Sequence, residues 1–235
     1  MGKFYTDFYL KNGLKMVLKV ATKTKFDIYK VLSELSKTNP LFCSELEFQF
    51  YLAWKVKELY KDQFKICIEY PLKNYEGKNR NIDLLLVDSC GCLIPIELKY
   101  KTNKFEQTCN GLNYKLKDQS ANDLTKYGHI KDISRIEHFK YVENNFIVGY
   151  AITITNQSRT WQKITNPLQT DYDFSLEDNT KICKGVKKWQ ECTSDYNKKN
   201  NPPVILANDY TINWLDYCNF SEPHGLFKIL VTEIV

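Results

Sequence analysis

IPIELKYKT, residues 94–102, sets a carboxylate and an ammonium two positions apart inside an apolar run. Ile94, Ile96 and Leu98 ask for burial, whereas charged groups are rarely fully buried unless paired. Side chains alternate across a strand, so Glu97 and Lys99 share one face while Ile96 and Leu98 take the other. The question is what neutralises these two charges at the end of a buried strand.

Three strand-like segments run in succession: FKICIEY (64–70), NIDLLLVD (81–88) and CLIPIELKY (92–100). KNYEGKNR (73–80) and the turn DSCGC (88–92) separate them. The second and third are apolar on both faces, as in strands covered on both sides. Upstream, CSELEFQFYLAWKVKELYKD (43–62) reads as a helix. Ser44 and Glu47 form its capping box, and Phe48, Leu52, Val56 and Leu59 form its apolar stripe. KFDIYKVLSELSKTNP (25–40) is a shorter helix stopped by Pro40. QSANDLTKYGHIKDISRIEHF (119–139) is a third helix, with a bend expected at Gly128. NNFIVGYAITITN (144–156), PVILAN (203–208), YTINWL (210–215) and FKILVTEIV (227–235) add further strands. This order predicts one α/β domain over 1–235, a mixed central β-sheet flanked by helices. Residues 1–40 form an N-terminal helical extension in this reading, and 158–201 a polar insertion of no clear periodicity.

Composition narrows the function classes. With 43% hydrophobic and 26% charged residues the chain reads as an ordinary globular protein. No run is long enough for a membrane span, and MGKFYTDFYLKNGLKMVLKV lacks the apolar core of a signal peptide. The expectation is a cytoplasmic protein with no membrane partner. Gly2 and Thr6 fit only the loose myristoylation pattern. Eight cysteines are scattered without a Cys-x-x-Cys pair, which argues against structural zinc. A net charge of +5 permits a polyanionic partner without demanding one. The three histidines, His129, His138 and His224, lack metal-ligand spacing. No nucleophile elbow or Gly-rich phosphate loop is present.

A hairpin through DSCGC lays Asp83 beside Glu97. Two carboxylates at adjacent strand positions repel unless something positive lies between them. A divalent ion resolves the conflict, and hard oxygen donors suit Mg²⁺, with Mn²⁺ as a substitute. Lys99 can then orient a water and stabilise charge developing on a phosphate. Glu45 shares the inward line of the second helix with Gln49, Leu52 and Val56. It has no capping task, so a cation across the fold is its expected partner.

Asp83, thirteen intervening residues, then Glu97-Leu98-Lys99 resembles the signature of the PD-(D/E)XK nuclease superfamily. Ile82 stands where that name has proline. The resemblance implies a restriction-endonuclease-like core and a Mg²⁺-dependent nuclease acting on nucleic acid, with DNA as the expected substrate. It assigns metal binding to Asp83, Glu97, the Leu98 carbonyl and Glu45, and activation of the attacking water to Lys99. SELEFQFYLAW, NIDLLLVD, IELKYKT, LTKYGHIKDISRIE and GYAITITN are similar to blocks of uncharacterised bacterial proteins of that superfamily. Glu76-Gly77-Lys78 repeats the tripeptide in a polar loop, so context and not the motif carries the reading.

Around this centre, Lys101 and Lys104 are candidates for phosphate contacts, against the plainer reading of solvated lysines. Lys126 and Tyr127, on the helix after the site, stand open between substrate contact and core. Asp132 and Arg135 read as an i,i+3 pair on a helix surface. Trp161, Trp189 and Trp214 read as core. The alternative function is a catalytically silent nuclease-like module that binds nucleic acid or regulates a partner. DNA or RNA, endo or exo cleavage, one metal or two, and the oligomeric state, a dimer included, stay open.

Overall fold

The computed structural model describes residues 6–9, 15–18, 26–72, 80–119 and 121–235. Gly2 and the second Glu-x-Lys at 76–78 lie outside them. Two short strands, β1 (Thr6–Tyr9) and β2 (Lys15–Leu18), pair antiparallel near the N-terminus. Within 1–40, expected to be a helical extension, the described residues hold this strand pair and α1 (Ile28–Thr38). TDFY and KMVL are rich in aromatic and apolar residues that suit a strand pair.

Local chemistry starts both N-terminal helices. Asp27 caps α1 by accepting the Lys30 N–H at 3.0 Å. For α2 (Glu45–Tyr60), Ser44 Oγ accepts the Glu47 N–H at 3.1 Å, and the Glu47 carboxylate returns to the Cys43 N–H. The chain continues through β3 (Phe64–Leu72), β4 (Arg80–Asp88) and β5 (Leu93–Lys101). The turn joining β4 to β5 is built by Asp88, whose Oδ1 accepts from the N–H groups of Cys90 at 2.8 Å and Cys92 at 2.9 Å. Gly91 supplies the left-handed residue it needs, with φ of +77°. A hairpin follows, β6 (Phe105–Cys109) and β7 (Leu112–Leu116), turning through Asn110 and Gly111, both with positive φ.

After the hairpin come α3 (Asn122–Val142), running without a break through Gly128, and β8 (Gly149–Thr155). Next are β9 (Thr180–Ile182), β10 (Gly185–Lys187), α4 (Asp195–Asn200), β11 (Val204–Leu206) and β12 (Tyr210–Ile212). The chain closes with β13 (Trp214–Asn219) and β14 (Leu226–Ile234).

Six strands form one mixed sheet in the order β13-β14-β8-β5-β4-β3. β5 and β8 are parallel and the other neighbours antiparallel. The parallel pair needs a crossover, and α3 provides it. α1 and α2 cover one face, where Val31, Leu35, Phe42, Phe48 and Leu52 pack with Leu84, Leu86, Ile96, Leu98 and Tyr100. α3 covers the other, where Ile130, Ile133 and Ile136 meet Ala151, Leu230 and Ile234. The stretch 158–201, expected to be a polar insertion, contributes to that second core. Phe174, Leu176, Ile182 and Trp189 join Val204, Leu206, Ile212 and Trp214 in it. β9 pairs with β12 and β10 with β11, so short distant segments complete each other.

Among the described residues no helix is long and apolar enough to cross a membrane, and no disulfide joins the cysteines. Phe42 is fully buried, with ring centroids 5.0 Å from Phe48 and 5.5 Å from Tyr100. Phe42→Ala is expected to cost about 3–5 kcal/mol. Urea unfolding should show a lower midpoint at an unchanged slope.

Candidate active site

The β4–β5 ladder runs from Val87 opposite Leu93 to Leu84 opposite Ile96 and then stops. The next pair in this register would be Asp83 with Glu97, two carboxylates face to face. Instead the Asp83 side chain enters the gap, and its Oδ2 accepts the Leu98 N–H at 2.6 Å. One helix fixes both strands where they part. Gln49 Nε2 donates to the Asp83 carbonyl at 2.6 Å, and Glu45, one turn earlier on α2, accepts the Tyr100 N–H at 3.0 Å. The ladder thus gives way to a gap where two acids would face each other, and α2 is bonded to both of its sides.

On the opposite face, α3 answers the strand charges. Lys99 Nζ lies 2.8 Å from Asp132 Oδ2, and Arg135 Nη1 lies 2.5 Å from Glu97 Oε2. Arg135 Nη2 is also 3.7 Å from Asp132 Oδ1, which closes a group of four charges. Glu97 is fully buried and Asp132 is 2% exposed. Gly128, one turn before Asp132, makes room for the lysine: a Cβ there would fall 2.7 Å from Lys99 Cε. His129 bridges Thr153 and Thr232 through its two ring nitrogens, at 2.9 Å each. Burial, then the Lys99 charge, lowers its pKa to about 3, so it is a neutral core residue.

Asp83, Glu97, Lys99 and Glu45 therefore meet at one end of β5, with three differences from expectation. Asp132 and Arg135 are not a solvated surface pair; buried Asp132 is the partner of Lys99, and half-buried Arg135 that of Glu97. Glu45 is partly exposed and faces the Tyr100 amide and the Lys101 ammonium, the latter at 3.4 Å. Lys126 and Tyr127 turn inward. Lys126 is 2% exposed and bound to Asp171 at 2.9 Å, beneath a cavity that Arg159 and Lys163 also line. Tyr127 stacks on Trp189, and its hydroxyl donates to the Pro202 carbonyl. Of the two readings left open for them, substrate contact or core, their burial fits the core. Lys101 borders a small cleft with Glu45, Lys115 and Lys117, and Lys104 is exposed. Leu98 is buried in the core facing α1 and α2.

Electrostatically the centre carries a surplus of acid. Glu97 and Asp132 are matched by Arg135 and Lys99, which leaves Asp83 in excess. Burial, then Asp132, pushes the Asp83 carboxyl up to about 6. Burial, then Asp132 and Asp83, pushes Glu97 up as well, against the pull of Arg135. For Lys99, burial opposes the charge, but Asp132, Glu45 and Glu97 hold its pKa above the ordinary lysine value.

Among the described residues no three His, Cys, Asp or Glu side chains are grouped as a set that could hold a metal ion. Each acid is turned to its own partner: Asp83 to an amide, Glu97 to Arg135, Glu45 to another amide. The chemistry of the donors still fits a hard cation. Glu97 Oε1 and Asp132 Oδ1 are buried with no hydrogen-bond partner, and a surplus carboxylate lies beside them.

The raised Asp83 pKa has a stability consequence. The folded state keeps a proton that the unfolded chain releases near pH 4. The stabilisation is full below that pH and is lost as pH rises through about 6. The loss is roughly 2–3 kcal/mol. Urea unfolding in EDTA between pH 4 and 7 should show Asp83→Asn falling less steeply than the parent and ending more stable at pH 7. Parallel curves would contradict the assigned environment.

Comparison of the chain with protein-family models, with curated proteins and with solved structures finds no match.

Proposed function

We propose that the chain is a metal-dependent nuclease that hydrolyses phosphodiester bonds, with DNA as substrate and Asp83, Glu97 and Lys99 as its working core. The observation that carries this reading is the meeting of those three groups where β4 and β5 part. Glu97 there keeps one buried carboxylate oxygen without a partner. A hydrophobic fold gains nothing in stability from such a group, because burying charge costs more than apolar packing of equal volume.

In this reading Asp83 and Glu97 supply hard oxygen donors, with the Leu98 carbonyl and Glu45 as the further ligands that the resemblance implies. A bound Mg²⁺ supplies Lewis acidity toward the phosphate and a water of lowered pKa. Lys99 orients the attacking water and presents positive charge as negative charge accumulates on the phosphate oxygens. Asp132 keeps that ammonium protonated and pinned, and Gly128 leaves space for its stem. Lys101, Lys104, Lys115 and Lys117 offer charge to the flanking backbone.

A silent nuclease-like module is the second reading. It is favoured by the internal pairing of Glu97 with Arg135 and of Lys99 with Asp132, which leaves no charge waiting for a ligand in those four side chains.

Purified protein should cut supercoiled, linear or single-stranded DNA in Mg²⁺ or Mn²⁺, and EDTA should stop it, with RNA run in parallel. Lys99→Met keeps the aliphatic stem and removes the charge, and cleavage should fall by at least ~10²-fold with the circular dichroism unchanged. Retarded DNA migration without cleavage in any metal would support the silent module. Gly128→Ala tests the space around the lysine. The new methyl crowds Lys99 and should lower cleavage about tenfold, while helix propensity offsets the strain by roughly 1 kcal/mol. A Gly128→Ala protein with full activity would show that the lysine stem is free to move.

A further inference from the structure

We infer that Arg135 is a built-in counter-ion that holds the Glu97 carboxylate in place of a divalent cation and moves onto Asp132 when the cation binds. This rests on the metal-centre reading of the same site and adds a positioning residue to it.

The contact itself is the first ground. Arg135 Nη1 is 2.5 Å from Glu97 Oε2, and Glu97 is fully buried. A divalent ion on that carboxylate and a guanidinium at that distance are like charges in a poorly screened layer, so each weakens the other's hold on Glu97.

A landing place is the second ground. Asp132 offers two oxygens, and Lys99 takes only Oδ2, at 2.8 Å. Oδ1 is buried and has no hydrogen-bond partner, and Arg135 Nη2 stops 3.7 Å from it. A small rotation of the guanidinium would close that gap and still leave Arg135 on a carboxylate. Arg135 thus faces a carboxylate in both states, Glu97 without the metal and Asp132 with it, and the surplus Asp83 carboxylate offsets part of the added charge.

The third ground is the incomplete fit of the arginine in its present pose. Arg135 Nε is buried with no partner. A purely structural buried arginine is expected to spend its fork of donors on acceptors. Besides Glu97 the guanidinium stands 3.5 Å from the Asn81 carbonyl and 3.7 Å from Asp132 Oδ1, and neither carboxylate is bound as a bidentate fork. Such a group has two arrangements within reach, the requirement for a ligand-driven shift.

The consequence is a metal affinity set by competition: the fraction of molecules with Glu97 released scales the apparent affinity. Calorimetric titration of Mn²⁺ into the full chain is the test, with Arg135→Gln, which keeps a neutral donor toward Glu97, and Glu97→Gln beside it. Arg135→Gln should bind about tenfold tighter than the parent, as for a competent fraction of roughly one in ten, and Glu97→Gln should bind none. Equal affinity of parent and Arg135→Gln would overturn the counter-ion role and leave the metal centre standing. Absence of heat in all three proteins, or equal binding by Glu97→Gln, would overturn both.

Should Arg135→Gln not fold, the parent decides the matter. The Arg135 Nε–H resonance of arginine-labelled protein, assigned by its loss in Arg135→Lys, should shift on adding Mg²⁺ with the half-saturation seen by calorimetry. A resonance that stays fixed while Mg²⁺ binds would overturn the inference.

Discussion

Two charges on the inner face of a buried strand must be neutralised where they lie, and the Glu97–Arg135 and Lys99–Asp132 contacts between β5 and α3 do this. The packing of α3 on the sheet depends on them. Removing one partner of a buried pair strands the other, at a cost of about 3–5 kcal/mol. Replacing the whole set with apolar side chains of similar volume is often neutral or stabilising. The set is therefore poorly explained as a stabilising device, and its position at the ends of diverging strands suits chemistry better.

The other face prepares the same place by different means. Capped by Ser44 and Glu47, α2 starts where Glu45 can reach the Tyr100 amide and Gln49 the Asp83 carbonyl. Hydrophobic burial of Phe48, Leu52 and Val56 fixes the helix, and these two polar residues transmit its position to β5 and β4. The hairpin turn made by Asp88 and Gly91 sets the register that would oppose Asp83 and Glu97. At that point the strands part. Fold and candidate site thus meet at one place, since the pairing that brings the acids together ends where they would face each other.

Much of this was legible in local sequence. The strands around Asp83 and Glu97-Leu98-Lys99, their hairpin and the capped helix follow from alternation, turn residues and a capping box, all short-range signals. The partners on α3 did not show. Asp132 and Arg135 are three apart on a polar helix, a pattern shared by countless solvated pairs, and polarity conceals that the helix is buried. One signal could have found them: Gly128, Asp132, Ile136 and Phe139 follow one helical line, so Asp132 lies in the apolar stripe. The hairpin of β6 and β7 was missed although Asn110-Gly111 announces it. β9 and β10 are three residues long and pair with strands far along the chain, so no local period betrays them, whereas their partners β11 and β12 fall within the expected strands PVILAN and YTINWL. The inward turn of Lys126 depends on Asp171, forty-five positions away, which no helical pattern reveals.

The central claim is that Asp83 and Glu97 share a divalent cation at the strand gap, with Arg135 as the group that yields to it. A crystal structure of the protein soaked in Mn²⁺, with anomalous scattering to locate the metal, tests it most directly. The expected result is a metal peak in contact with both Asp83 and Glu97 oxygens and the Arg135 guanidinium turned onto Asp132 Oδ1. A metal bound only elsewhere, or no metal with Arg135 still on Glu97, would contradict it.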